Sequence, residues 1–156
     1  MLFRSAYGDM GQLPNTPHIV NTLCDKAMQG EVFVINGNQY ETKDGTCVRD
    51  YLHVVDVCRA LVHADKYLSD KEPCHYKFNL GTETGTSVKE IVDIFNHLCS
   101  RVETRVGLRR EGDPPFLVAN PNKFIKITGF QYQYKSTDID LMIKSAWEYR
   151  NAVRRK

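Results

Sequence analysis

The sequence predicts an α/β protein. Short runs rich in β-branched and aromatic residues alternate with stretches whose apolar residues recur every three or four positions, the pattern of strands interleaved with helices. The helical stretches begin and end on recognisable signals, such as Ser87-Val88-Lys89-Glu90 at a start and Gly30 and Gly129 at ends. The composition is globular, with 42% hydrophobic and 26% charged residues in 156, a length that suits one domain with a core.

In order along the chain, residues 1–16 are turn-rich, with Gly8, Gly11, Pro14 and Asn15. From Pro17, the residues Ile19, Val20, Leu23, Cys24, Ala27 and Met28 form one helical face, stopped by Gly30. Val32-Phe33-Val34-Ile35 reads as a strand, 36–47 as a polar loop with Gly37 and Gly45, and Val48 to Val55 as a second strand. Asp56 is placed to cap a helix carrying Val57, Ala60, Leu61, Ala64 and Leu68. Tyr76-Lys77-Phe78-Asn79-Leu80 alternates as a strand, and Gly81 and Gly85 bracket a turn.

Ser87 and Glu90 then form a capping box, opening a helix expected to bury Val88, Ile91, Val92, Phe95, Leu98 and Cys99. Glu103 to Leu108 alternates as a strand, and Arg109 to Phe116 is a loop holding two prolines. Asn120 caps a short helix with Pro121 at its first position, ending at Gly129. The last helix begins at Thr137 and turns Leu141, Met142, Ala146 and Trp147 inward.

The net charge is +2, unevenly spread. Residues 1–100 carry 9 Lys/Arg against 13 Asp/Glu, and residues 101–156 carry 12 against 6. The basic end has no aromatic-basic stripe, and Arg150, Arg154, Arg155 and Lys156 suit a helix C-terminus, so no nucleic-acid partner is expected. No apolar run approaches the ~18 residues of a membrane span, and the N-terminus lacks a long apolar signal region, so no membrane association and a cytoplasmic location are expected. The five cysteines include no C-x-x-C pair, and Cys24, Cys58 and Cys99 fall at apolar helix positions, as small buried hydrophobes. The five histidines are scattered, so no metal site is expected. A hydrolase elbow, a Walker A sequence, an H-E-x-x-H pair and an EF-hand loop are all missing.

Two loops stand out: Asp44-Gly45-Thr46-Cys47-Val48-Arg49-Asp50-Tyr51 and Arg109-Arg110-Glu111-Gly112-Asp113-Pro114. Each sets Arg beside carboxylates. A surface ion pair is the plainer reading of that spacing. An anion clamp is the functional one, because Arg presents a rigid fork of donors to a diphosphate.

Those loops also carry a resemblance. Residues 37–56, Tyr76-Lys77-Phe78-Asn79-Leu80-Gly81-Thr82 with Ser87-Val88, Arg109 to Pro114, and the ending from Ala119-Asn120-Pro121 through Thr128-Gly129-Phe130 to Ala146-Trp147 resemble the UDP-glucose 4-epimerases. Gly8-Asp9-Met10-Gly11 is a weaker match. These are extended short-chain dehydrogenases/reductases of the NAD-dependent epimerase/dehydratase family, isomerases of galactose metabolism. The resemblance runs from about residue 8 to 150, and the long Tyr40 to Val48 loop favours epimerases over sugar-nucleotide dehydratases and decarboxylases.

The resemblance implies that Arg49 and Arg110 grip the diphosphate of a UDP-sugar and that Asp113 holds the ribose. Val34, Ile35 and Asn36 would lie along the uracil, His18 and Ile19 near the pyrophosphate, and Val88 in the base pocket. Asn36 stands where the family often has an aromatic. Leu117 stands where it commonly has Tyr, and is given no role. The family's chemistry moves a hydride from C4 of the sugar to NAD and back to the other face, a Tyr assisted by a Lys taking the hydroxyl proton.

The family's G-x-x-G-x-x-G cofactor loop is absent from this sequence. Its catalytic Y-x-x-x-K is missing from its proper place. Tyr67-Leu68-Ser69-Asp70-Lys71 matches by spacing but falls late in a non-catalytic helix. Residues 1–156 are therefore expected to be the UDP-sugar-binding C-terminal domain without the NAD-binding Rossmann domain, truncated and inactive alone, with no catalytic or cofactor-binding residue. An alternative is a non-catalytic module docking on a separate NAD-binding chain. Either leaves an exposed apolar face, prone to self-association.

Overall fold

A computed structural model describes residues 18–72, 74–135 and 138–154. The turn-rich start, including Gly8-Asp9-Met10-Gly11, and the Thr137 helix start lie outside the described residues. The elements are α1 (Ile19–Gln29), β1 (Phe33–Asn36), β2 (Val48–Arg49), α2 (Val54–Leu68), β3 (Thr86–Ser87), α3 (Val88–Leu98), β4 (Thr104–Gly107), β5 (Phe116–Leu117), α4 (Asn122–Thr128) and α5 (Ile139–Arg154). The predicted α/β class holds.

Two small sheets result. β1 pairs with β4 in parallel, Phe33 opposite Thr104 and Asn36 opposite Gly107. The other has the order β3-β2-β5, antiparallel and then parallel. Helices α1, α3 and α5 enclose the main core, where Leu23, Ile91, Phe95 and Ile143 are fully buried. Burying each such side chain contributes roughly 1.5–3 kcal/mol. The Trp147 indole meets Phe95 edge-on at 5.5 Å. Arg150 of α5 pairs with Asp25 of α1. A second cluster, Ala60, Phe124 and Phe130, joins α2 to α4.

The predicted capping box is present: Glu90 N donates to Ser87 Oγ at 3.0 Å, and Ser87 N donates to Glu90 Oε2 at 2.8 Å. Gly30 and Gly129 end their helices in the left-handed conformation. Pro121, however, is the N-cap of α4 rather than its first residue, while Asn120 Oδ1 accepts from Asn122 N at 2.9 Å.

Other expectations are corrected. The strand predicted from Val48 to Val55 stops at Arg49. Asp50 leaves the ladder because its buried carboxylate accepts from Thr82 N at 3.0 Å, Thr82 Oγ1 at 2.6 Å and Ala119 N at 3.1 Å. The cap of α2 is His53, whose Nδ1 accepts from Val55 N at 3.2 Å. Asp56 lies in the first turn instead. On α2, Leu61 (66% exposed), Leu68 and Cys58 face outward, because only one side of this helix meets α4. Leu98 and Leu141 are likewise exposed, at the edges of faces that bury their neighbours.

Tyr76 to Leu80 alternates half-buried and exposed as a strand should, yet joins no ladder among the described residues. Its inward side chains pack on other rings, Tyr76 against Tyr67 at 5.8 Å and Phe78 against Phe124 at 5.5 Å. No described helix is long and apolar enough to cross a membrane.

His53 is 2% exposed and stacks on Tyr134 at 3.9 Å. Burial holds its pKa below the ordinary 6.5, against an upward pull from Asp56. The folded state therefore binds this proton less well than the unfolded one. Stability is full above about pH 6.5 and falls as pH drops from there toward the folded pKa, by at most about 1.4 kcal/mol per pH unit for one histidine. Melting curves at pH 7.5 and 5.5 should show a lower Tm at the acid end, with a smaller drop in His53→Asn, which keeps a cap acceptor. Equal drops in both proteins would assign the effect elsewhere.

Candidate functional site

A cavity of about 690 Å³ opens between α1, β1, β2 and the loops 36–47 and 109–114. All nine residues singled out from the sequence line it: His18, Ile19, Val34, Ile35, Asn36, Arg49, Val88, Arg110 and Asp113. Segments 95 positions apart in the chain thus meet in one place.

Local structure sets each side chain. In β1, Phe33 and Ile35 are buried in the core, while Val34 and Asn36 are half-buried, as strand alternation requires. Arg49 is held in β2 between β3 and β5. Its Nη2 donates to Asp113 Oδ1 at 2.5 Å, and its Nη1 to the carbonyls of Val48 (2.7 Å) and Pro114 (3.0 Å). Arg49 and Asp113 are both partly buried, so this pair is screened less than a surface one. Arg110 stands at the exposed rim. Val88 opens α3, and its N–H donates to Cys47 O at 3.0 Å, tying the loop to the helix.

The long loop is braced from within. Asp44 Oδ1 accepts from Thr46 N at 2.9 Å and from Thr46 Oγ1 at 2.7 Å, and Asp44 Oδ2 accepts from Ser87 Oγ. Burial pushes the Asp44 carboxyl up, but the hydrogen bonds from Ser87 and Thr46 outweigh it and leave its pKa below the ordinary value. Gly45 has φ +78, and a Cβ there would meet Asn38 O at 2.1 Å, so only glycine closes this turn.

The charged lining is mixed: Arg49 is paired with Asp113, Asp50 is buried, and Arg110 stands at the rim. The start of α1 presents the positive end of its helix dipole, with no side-chain cap among the described residues and no acid in its first turn. His18, its N-cap, has a pKa lowered by burial and is neutral at pH 7. Lys26 reaches the wall but pairs with Glu31. Burial raises the Cys47 thiol despite the Arg49 charge, and pushes the Tyr51 phenol well above its ordinary range. Both stay protonated at neutral pH. The arrangement suits binding an anion.

Tyr67 and Lys71 stand elsewhere, among the rings of Tyr76 and Phe78, with the Lys71 ammonium 5.1 Å from the Tyr67 ring centroid. Thr22 and Lys26 also line the cavity, as do Thr46, Cys47, Asp50 and Tyr51 of the 44–51 loop and Leu117, none of them assigned a role from the sequence. Thr22 and Lys26 follow His18 at helical spacing, a signal open to view. Leu117 reaches the wall through a two-residue strand that no periodicity reveals.

The α/β fold thus brings Arg49, Arg110 and Asp113 to one cavity. Residues 4–81 match the model of the NAD dependent epimerase/dehydratase family, and the chain belongs to that family. It is 41% identical to a UDP-glucose 4-epimerase of Rhizobium leguminosarum bv. trifolii over 94% of this chain and 44% of that protein. A UDP-glucose 4-epimerase structure from Stenotrophomonas maltophila with bound NAD and formylated UDP-arabinopyranose aligns at TM-score 0.84 and 32% identity, over 94% of this chain and 44% of that one. A structure from Bifidobacterium longum in complex with NAD+ and UDP aligns at TM-score 0.81 and 28% identity, over 92% and 42%. The chain spans less than half the length of the curated relatives it matches.

The starts of α2 and α3 do not suit an NAD pyrophosphate. A dinucleotide pyrophosphate needs a glycine-rich turn at an open helix start. The starts of α2 and α3 hold the carboxylates of Asp56 and Glu90.

Proposed function

We propose that residues 1–156 form the UDP-sugar-binding domain of a UDP-glucose 4-epimerase, and that this chain alone does not interconvert UDP-glucose and UDP-galactose. The observation that carries this is the convergence of Arg49, Arg110 and Asp113 with Val34 to Asn36 on one cavity. The arginines grip the diphosphate. Asp113 keeps Arg49 in place through Oδ1 and offers Oδ2 to a ribose hydroxyl. The backbone of Val34 to Asn36 reads the edge of the uracil. Anchoring UDP this way spends binding energy on the part of the substrate that does not react, leaving the hexose free to turn.

A second reading is favoured by Tyr76 to Leu80, which joins no ladder among the described residues, and by the exposed Leu61 and Val62 of α2. Backbone with unpaired strand-like patterning and exposed apolar side chains both suit a docking face. On this reading NAD binding and the proton-transferring Tyr and Lys come from a separate chain. The pure chain incubated with NAD and UDP-galactose should form no UDP-glucose above a heat-killed control. Activity should appear on adding a chain that carries a strand followed by G-x-x-G-x-x-G. Turnover by the pure chain would overturn the first statement, and no activity with both chains would overturn the second reading.

A further inference from the structure

Tyr40 is 4% exposed, and its hydroxyl is a buried polar atom with no hydrogen-bond partner among the described residues. Such a group is unfavourable unless the rest of the side chain has work elsewhere. The ring supplies it. The Arg109 guanidinium lies over the ring face, 4.3 Å from its centroid. A planar, weakly hydrated cation is well suited to that contact.

Neither residue lines the cavity, but each is attached to something that does. Tyr40 belongs to the braced loop: its N–H donates to Gly45 O at 2.9 Å, and Thr42 Oγ1 donates to Thr46 O at 2.7 Å. That loop leads directly into Arg49. Arg109 precedes Arg110, and its Nη2 donates to Asp113 O at 3.4 Å. The loops meet closely, since a Cβ on Gly37 would lie 3.0 Å from Arg109 Cα and 3.1 Å from Tyr40 Cε2. Besides this contact, the turn is tied by the Arg49–Asp113 pair at its end and by Asp113 N donating to Arg110 O at 3.4 Å.

We propose that Tyr40 and Arg109 are a positioning pair, the ring fixing Arg109 so that Arg110 and Asp113 are presented beside Arg49 before a diphosphate arrives. This rests on reading the cavity as the UDP site. Preorganisation of this kind raises affinity by reducing the ordering needed on binding.

Two measurements separate the pair's own role from that reading. Amide hydrogen exchange across 109–113 in the unliganded chain should quicken in Tyr40→Leu and Arg109→Ala and stay at the wild-type rate in Tyr40→Phe. Calorimetry should show UDP binding weakened about tenfold by Tyr40→Leu or Arg109→Ala, no further by the double variant, and unchanged by Tyr40→Phe. Uridine, which lacks phosphates, should bind all forms alike. Unchanged exchange in Tyr40→Leu, additive losses, or an equal loss for uridine would overturn the proposal. If the wild-type chain bound no UDP while Tyr40→Leu still quickened exchange, the site reading would fail and the positioning pair would stand.

Discussion

Arg49→Ala and Arg110→Ala should each weaken UDP binding by about 10- to 100-fold, the loss expected when a charge-assisted hydrogen bond worth roughly 1.5–3 kcal/mol is removed. The two variants should differ in other respects. The Arg110 side chain is exposed and makes no hydrogen bond among the described residues, its carbonyl alone accepting from Asp113 N, so its loss should leave Tm unchanged. Arg49 holds Asp113 and two carbonyls, so its loss should also lower Tm slightly and loosen the 109–114 loop. Arg→Lys should restore binding only in part, because an ammonium cannot offer a diphosphate two parallel donors. Raising salt should weaken wild-type binding more than that of either variant. Calorimetry with UDP and with uridine reads all of this. Full UDP affinity in both Ala variants would remove the arginines from the site.

Asp56→Ala should be the most damaging single substitution for stability. The carboxylate is completely buried, its Oδ1 accepting from Arg59 Nη1 and Gln133 N, and its Oδ2 from Tyr134 N, each at 2.8 Å. It pins the start of α2 to the segment that feeds α5. Alanine leaves the backbone amides of the exposed Gln133 and the half-buried Tyr134 without this acceptor and empties a fully buried position, which together costs about 2–4 kcal/mol. For a domain of this size that is a fall in Tm on the order of 10 °C. Asp56→Asn should fall between the two, since one amide oxygen cannot replace two carboxylate oxygens. A Tm within about 2 °C of wild type for Asp56→Ala would contradict this account of how α2 is held.

What the sequence made readable follows from the range of the forces involved. α1, α3 and α4 were visible because their signals are local, such as the Ser87 and Glu90 box and the left-handed ends at Gly30 and Gly129. The β1 and β4 strands were visible for the same reason. The error at Val48 to Val55 is of another kind. The run is β-branched, but Asp50 is captured by Thr82 and Ala119, distant residues whose pull no local pattern records. The outward Leu61 and Leu68 belong to an apolar stripe wider than the contact surface available within the described residues. Tyr76 to Leu80 has the pattern of a strand and finds no ladder partner among the described residues. Of the site, the nine residues were found through motif resemblance. Spacing alone favoured a surface ion pair within each loop, whereas Arg49 pairs with Asp113 of the other loop, partly buried. The Tyr40 and Arg109 contact was out of reach, because a ring and a guanidinium from two loops share no sequence signal.

The central claim is that the cavity holds UDP. Titrating UDP into isotope-labelled chain and following its backbone amides by NMR tests it most directly. The predicted result is saturable shifts concentrated at 34–36, at Arg49 and at 110–113, reduced in Arg49→Ala. Shifts elsewhere on the surface, or none up to millimolar UDP, would contradict it.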